Sequence, residues 1–213
     1  MHIPKCPTLD ISIDGFYSAL RTSEEQNDTY DVSKWIYVPN YYSEYRYILG
    51  TKGKKPLIAI GINPSTAKPD DMDNTLKSVE RIALANGYDS FIMFNVYAQR
   101  ATDPKDMEKE LNEDLHKENM KAFEYILSLS KDAPPSIWAA WGTIIKMRPY
   151  LPRCVRDMIE AGKKYSAVWY TAGARSKSGR HPHHPLYLKK DTKLDLFDDI
   201  SLYLKDIEDN LTK

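Results

Sequence analysis

The chain has 213 residues, with 30 lysines and arginines against 30 aspartates and glutamates and a formal net charge of +0. That length allows one α/β unit with an appended segment rather than two full domains. The balanced charge excludes a global field drawing the protein to DNA or to an anionic membrane, so any nucleic-acid contact must come from a local patch. No apolar run approaches the ~20 residues needed to span a bilayer. Cys6 and Cys154 form no C-x-x-C pair and no signal-type segment opens the chain. These features imply reduced thiols, a cytoplasmic location and no membrane partner.

In chain order, residues 1–45 fit no alternation of strand and helix, and Tyr37, Tyr41, Tyr42, Tyr45 and Tyr47 follow no regular period. This stretch reads as a covering segment over the site or the sheet edge, not an independent domain, and 46–213 reads as a single α/β domain. Tyr47-Ile48-Leu49 suits a short edge strand. Residues 57–62 form a continuous aliphatic run, the habit of a strand buried on both faces. Residues 74–86 carry Leu76, Val79, Ile82 and Ala83 at helical spacing, with Gly87 placed to end the helix. Asp73 and Thr75 suit its N-terminal cap.

A second apolar strand, 90–96, ends on Asn95-Val96, and Thr102-Asp103-Pro104 opens a helical region that runs in two pieces to 130. Pro134-Pro135 breaks the chain before a third strand ending at Trp141-Gly142. A helix interrupted near Pro149 and Pro152 leads to a fourth strand, 167–171. A long loop, 172–185, precedes an amphipathic helix over 194–211. The expected fold is therefore a three-layer α/β/α arrangement with a central, mainly parallel sheet of about four strands. All strand exits then share one edge, where sites of such folds lie.

Four polar-ended loops converge there, bearing Asn63, Asn95, Trp141-Gly142 and His181-Pro182-His183-His184. Pro64 pushes Asn63 towards extended geometry and holds its amide outward. One amide can position water and another can read a base edge through its donor and acceptor pair. His184 or His181 can hydrogen-bond an oxygen that gains charge as a bond breaks. Residues 161–190 hold no Asp or Glu but carry Arg175, Lys177, Arg180 and Lys189. They form a local basic face suited to phosphate. The histidines have no second ligand cluster at matching spacing, so no metal is expected. No organic cofactor is expected either.

At these residues the motif order resembles the uracil-DNA glycosylase superfamily. Gly61-Ile62-Asn63-Pro64 is similar to its mismatch-specific branch, in which the Asn positions the attacking water. The strand ending at Asn95 resembles the one whose Asn reads the base. His184-Pro185-Leu186-Tyr187 resembles the loop that stabilises the departing base and leads to the duplex wedge. Ser65 stands where uracil-specific members place a bulky aromatic. Over 45–188 the chain resembles more closely a bacterial and phage family, domain of unknown function 1643. That likeness rests on Asn63-Pro64-Ser65-Thr66-Ala67, Asp73-Asn74-Thr75, Ala98-Gln99-Arg100-Ala101-Thr102-Asp103-Pro104, Trp141-Gly142 and 180–188.

The resemblance implies a nucleic-acid or nucleotide ligand and a glycosylase-like hydrolysis of a modified or mismatched base. Asn63 and His184 would be catalytic. Asn95, Ser65, Thr66, Arg100, Trp141, His181 and Tyr187 would bind substrate, with Tyr187 or Leu188 filling the vacated stack. Two readings stay open beside it: a base- or nucleotide-binding module without catalysis, and a hydrolase of nucleotide metabolism using the Ser65 and Thr66 hydroxyls on phosphate.

Overall fold

The computed structural model describes residues 1–178 and 180–211; Gly179 and the last two residues of the 46–213 stretch lie outside them. The elements in order are α1 (Phe16–Ser23), β1 (Trp35–Val38), β2 (Ile48–Thr51), β3 (Pro56–Gly61), α2 (Asn74–Ala85) and β4 (Ser90–Asn95). They continue with α3 (Glu113–Ser128), β5 (Ser136–Ala139), α4 (Leu151–Lys164), β6 (Val168–Ala172), β7 (Leu194–Leu196) and α5 (Ile200–Leu211). The sheet order is β1-β2-β4-β3-β5-β6-β7. Its middle, β4-β3-β5-β6, is parallel, while β1, β2 and β7 join antiparallel.

The aliphatic runs are buried on both faces, as their lack of alternation requires. Ile58, Ile60, Ile92 and Phe94 pack with α1, α3, α4 and α5, whereas Leu57, Ala59, Phe91 and Met93 pack with Leu76, Val79, Ile82 and Ala83 of α2. Helices thus cover both faces. Local chemistry sets the helix ends. The Asp73 carboxylate accepts from the Leu76 N–H at 2.9 Å, and Gly87 adopts φ +79 just past the Asn86 C-cap. Asn112 caps α3 by accepting from Asp114 N and Leu115 N.

The sheet has seven strands among the described residues, not about four, and it is mixed. The four expected strands form its parallel middle. The additions lie outside the strand-helix alternation that made those four legible. β1 comes from the 1–45 segment and occupies the edge expected of residues 47–49, so β2 becomes internal. Residues 194–196 are a strand and not the start of a helix. Leu194 and Leu196 are two apart and pair with β6, and the Asn86 Oδ1 accepts the Leu194 N–H at 3.1 Å. The expected helix after Asp103-Pro104 is one 3-10 turn, Pro104–Asp106, before α3 begins.

Parallel pairing brings the ends of β3, β4, β5 and β6 to one edge, where Gly61, Asn95, Ala139 and Ala172 hand over to the loops.

Candidate functional site

Gly61 and Asn95 end neighbouring strands in register. Side chains alternate along a strand, so both share the face of Ala59 and Met93, the α2 side. Asn95 is 1% exposed, and neither its Oδ1 nor its Nδ2 has a hydrogen-bond partner among the described residues. Trp138, buried on the same face, likewise leaves its Nε1–H without an acceptor. A buried polar atom without a partner costs about 1–3 kcal/mol. Gly61 makes room for this amide: a Cβ there would lie 2.6 Å from the Met93 methyl and 3.2 Å from Asn95 Oδ1.

The loops after β3 and β4 are laced together. Val96 N donates to Gly61 O at 2.8 Å, Tyr97 N to Ile62 O at 2.9 Å and Ala101 N to Pro64 O at 2.9 Å. Asn63 belongs to this lacing, since its Nδ2 donates to Ala101 O at 2.7 Å and to Pro64 O at 3.1 Å. Its amide nitrogen is therefore engaged, leaving Oδ1 as the atom able to hold water. Ser65 Oγ lies 3.1 Å from Thr102 Oγ1, and Thr66 beside it is half-buried.

Arg100 is 0% exposed and Arg46, which the sequence reading passed over, 1%. Both converge on one oxygen: Arg46 Nη1 donates to Ala67 O at 3.1 Å and Arg100 Nη1 to the same atom at 3.5 Å. Arg100 also donates to Ser65 O and to Tyr37 Oη (3.1 Å), and lies 4.4 Å over the Tyr42 ring. The Nε–H of each guanidinium has no partner among the described residues. Burial, together with the Arg100 charge, pushes Arg46 down to about 9, still cationic at neutral pH. Asp103, three residues after Arg100, accepts from Lys105 N and makes no ion pair with that arginine.

His184 sits over the Trp141-Gly142 turn, where a Cβ on Gly142 (φ +65) would lie 3.5 Å from its Cβ. The Leu186 N–H reaches His184 Nδ1 at 3.4 Å. A backbone N–H only donates, so in the neutral ring Nδ1 accepts and Nε2 carries the proton. Burial lowers the His184 pKa, opposed by the Asp73 charge. The Asp73 charge acts on Arg46 as well as on His184. Tyr187 is 78% exposed, its ring centroid 6.1 Å from that of His184.

The remaining expected residues lie elsewhere. Trp141 is wholly buried on the opposite face, stacked on Tyr203 of α5 and donating from Nε1 to its Oη at 2.9 Å. His181 Nδ1 lies 3.0 Å from the same hydroxyl. Burial and the Lys146 charge lower the His181 pKa. A cavity of about 310 Å³ opens there, lined in part by Lys146, Arg175, Arg180, His181, Asp199 and Tyr203. The basic face is partly neutralised, because Asp199, outside the 161–190 stretch, pairs with Arg175 at 3.0 Å and Arg180 at 2.9 Å. Lys177 and Lys189 are exposed.

Among the described residues no three His, Cys, Asp or Glu side chains gather as metal ligands, and no helix is long and apolar enough to cross a membrane. The model of a family described as protein of unknown function, DUF1643, matches residues 46–186. The chain belongs to that family. The DUF1643 match spans Arg46, Asn63, Asn95, Arg100 and His184 and stops one residue short of Tyr187. It says nothing of the uracil-DNA glycosylase superfamily. No curated protein and no solved structure matches the chain.

Proposed function

We propose that this protein recognises a nucleobase at the edge of the sheet between Asn95 and His184, and that it belongs functionally with glycosylase-like hydrolases of modified or mismatched bases. The supporting observation is the Asn95 amide, buried with both polar atoms unpartnered. Such an amide offers adjacent donor and acceptor groups to the complementary pair on a base edge. Binding would remove the penalty that the free protein carries at that position.

In the hydrolytic version, Asn63 Oδ1 holds water against the sugar C1′ carbon. The water oxygen bonds to C1′ as the C1′–N bond breaks, the electron pair leaves with the base, and the proton that the water sheds passes through solvent to the base anion. The Nε2–H of neutral His184 hydrogen-bonds the base oxygen on which that charge collects, an interaction stronger in the transition state than in the ground state. The order of the Asn, Asn and His loops, which resembles the uracil-DNA glycosylase superfamily, supports these roles. A binding module without catalysis is the second reading. Engagement of the Asn63 nitrogen by two carbonyls favours it, because half of the water-holding group is already committed.

Binding and chemistry separate experimentally. Calorimetric titration with a panel of nucleosides and base-modified oligonucleotides should find a ligand whose affinity falls at least tenfold in Asn95→Ala. An abasic-site assay over the same oligonucleotides should show product lost in Asn63→Ala and in His184→Ala. No base-containing ligand for the wild type overturns recognition, and equal background in wild type and Asn63→Ala overturns catalysis.

A further inference from the structure

Two buried guanidinium groups sharing one neutral carbonyl oxygen form an unusual pairing. Moving a guanidinium out of water costs several kcal/mol, normally offset by a carboxylate or a full set of acceptors. Here no carboxylate stands within ion-pair distance of Arg46 or Arg100 among the described residues. Each carries five N–H donors in a fixed fork. They meet at Ala67 O, Ser65 O and Tyr37 Oη take further bonds from Arg100, and both Nε–H groups are without a partner among the described residues. Like charges held this close repel, and a neutral carbonyl dipole screens them weakly. An oxyanion with several oxygens would take the position of the Ser65 and Ala67 carbonyls and also receive the idle donors.

We propose that Arg46 and Arg100 form the anion-receiving end of the site and bind the terminal phosphate of a free nucleotide. The base half of this inference rests on the nucleobase reading above. A terminal phosphate suits the observations better than a phosphodiester chain. The two guanidinium groups are 0–1% exposed under Tyr37, Tyr42 and the 65–67 loop, so phosphate entry requires that loop to open, and a single end group needs a smaller opening than a continuing backbone. Of the four basic residues suited to a nucleic-acid backbone, Arg175 and Arg180 are paired with Asp199, which leaves only Lys177 and Lys189 exposed for such a contact.

The test measures affinities of the full-length protein, at constant ionic strength, for inorganic phosphate, matched nucleosides and nucleoside 5′-monophosphates, and single-stranded oligonucleotides. A monophosphate should bind at least tenfold tighter than its nucleoside, inorganic phosphate should compete with it, and Arg46→Met or Arg100→Met should erase the difference while nucleoside affinity stays. The wild-type comparison needs no variant, so a poorly folding arginine mutant leaves the test intact. Equal affinity for nucleoside and monophosphate overturns the anion site, as does tighter binding of oligonucleotides than of monophosphates. The base reading fails separately: monophosphate binding unchanged in Asn95→Ala, with inorganic phosphate still competing, removes the base contact and leaves the phosphate site standing.

Discussion

Two polar clusters buried in this molecule answer to opposite rules. Around Glu108 every group is matched: its carboxylate accepts from Thr8 N at 3.0 Å, from Thr8 Oγ1 at 2.7 Å and from Tyr97 Oη. Asn112 closes the circuit, its N–H donating to Tyr97 Oη at 3.1 Å and its Nδ2 to Thr8 Oγ1 at 2.9 Å. The cluster fastens the start of the chain to the loop before α3. Around Asn95, Arg46 and Arg100 the amide and both Nε–H groups are idle. Matched burial stabilises a fold, whereas unmatched burial weakens it and persists where a ligand supplies the missing partner. Function is therefore to be sought among the groups that the fold leaves unsatisfied.

The largest expected effect tests the matched side. Glu108→Ala strips three donors of a charged acceptor and should lower unfolding stability by about 3 kcal/mol, measured by urea denaturation with an unchanged m-value. A loss below about 1 kcal/mol would mean that the circuit holds nothing. Asn95→Ala should behave differently. Removing an unpartnered amide relieves its desolvation while leaving a small void, so stability should stay within about 1 kcal/mol of wild type or rise. A Glu108-like loss there would show that the amide has a structural partner, and the contrast would collapse.

A smaller effect comes from pH. Burial and Lys146 hold the His181 pKa below 6.5, so the neutral ring is favoured in the fold. Unfolding then takes up protons in acid. The contribution is fully present above the unfolded value of 6.5 and is lost as pH falls from there through the folded pKa. His2 and His184 are shifted the same way and add to the slope. Urea unfolding at pH 7.5 and 5.5 should therefore show a smaller acid loss in His181→Asn than in wild type. An equal loss would place the acid sensitivity elsewhere.

The parallel middle of the sheet was legible because a strand buried on both faces and a helix with one apolar stripe each leave a local periodic signature, as residues 57–62 and 74–86 do. Of the antiparallel strands, β2 was legible at 47–49, though as an edge, and β1 and β7 were not. β1 and β7 are four and three residues long and acquire their meaning from neighbours distant in sequence. The site divides likewise. Asn63, Asn95 and His184 were visible as polar groups at strand exits. That Trp141 and His181 belong to the opposite face depends on Tyr203, contributed by the last helix. Arg46 was missed inside Tyr45-Arg46-Tyr47-Ile48-Leu49, where a charge in an aromatic and aliphatic run was itself the signal that it is buried against something polar.

The smallest expected effect on stability carries the most information about the ligand. Tyr187 is 78% exposed beside His184, so Tyr187→Ser should change unfolding stability by no more than about 0.5 kcal/mol. An exposed aromatic at the rim of a base site can serve as a stacking surface, and stacking on a base is worth about 1–3 kcal/mol in single-stranded complexes. If the ligand is a free nucleotide held by Arg46, Arg100 and Asn95, all of its contacts lie beneath the rim and Tyr187→Ser should leave its affinity unchanged. If the base arrives on a strand, the flanking bases lose their surface and oligonucleotide affinity should fall about tenfold, the lower part of that stacking range. Titrating one variant with both ligand types therefore sets the unsatisfied interior against the exposed rim. A drop confined to oligonucleotides would move recognition outward, away from the buried arginines.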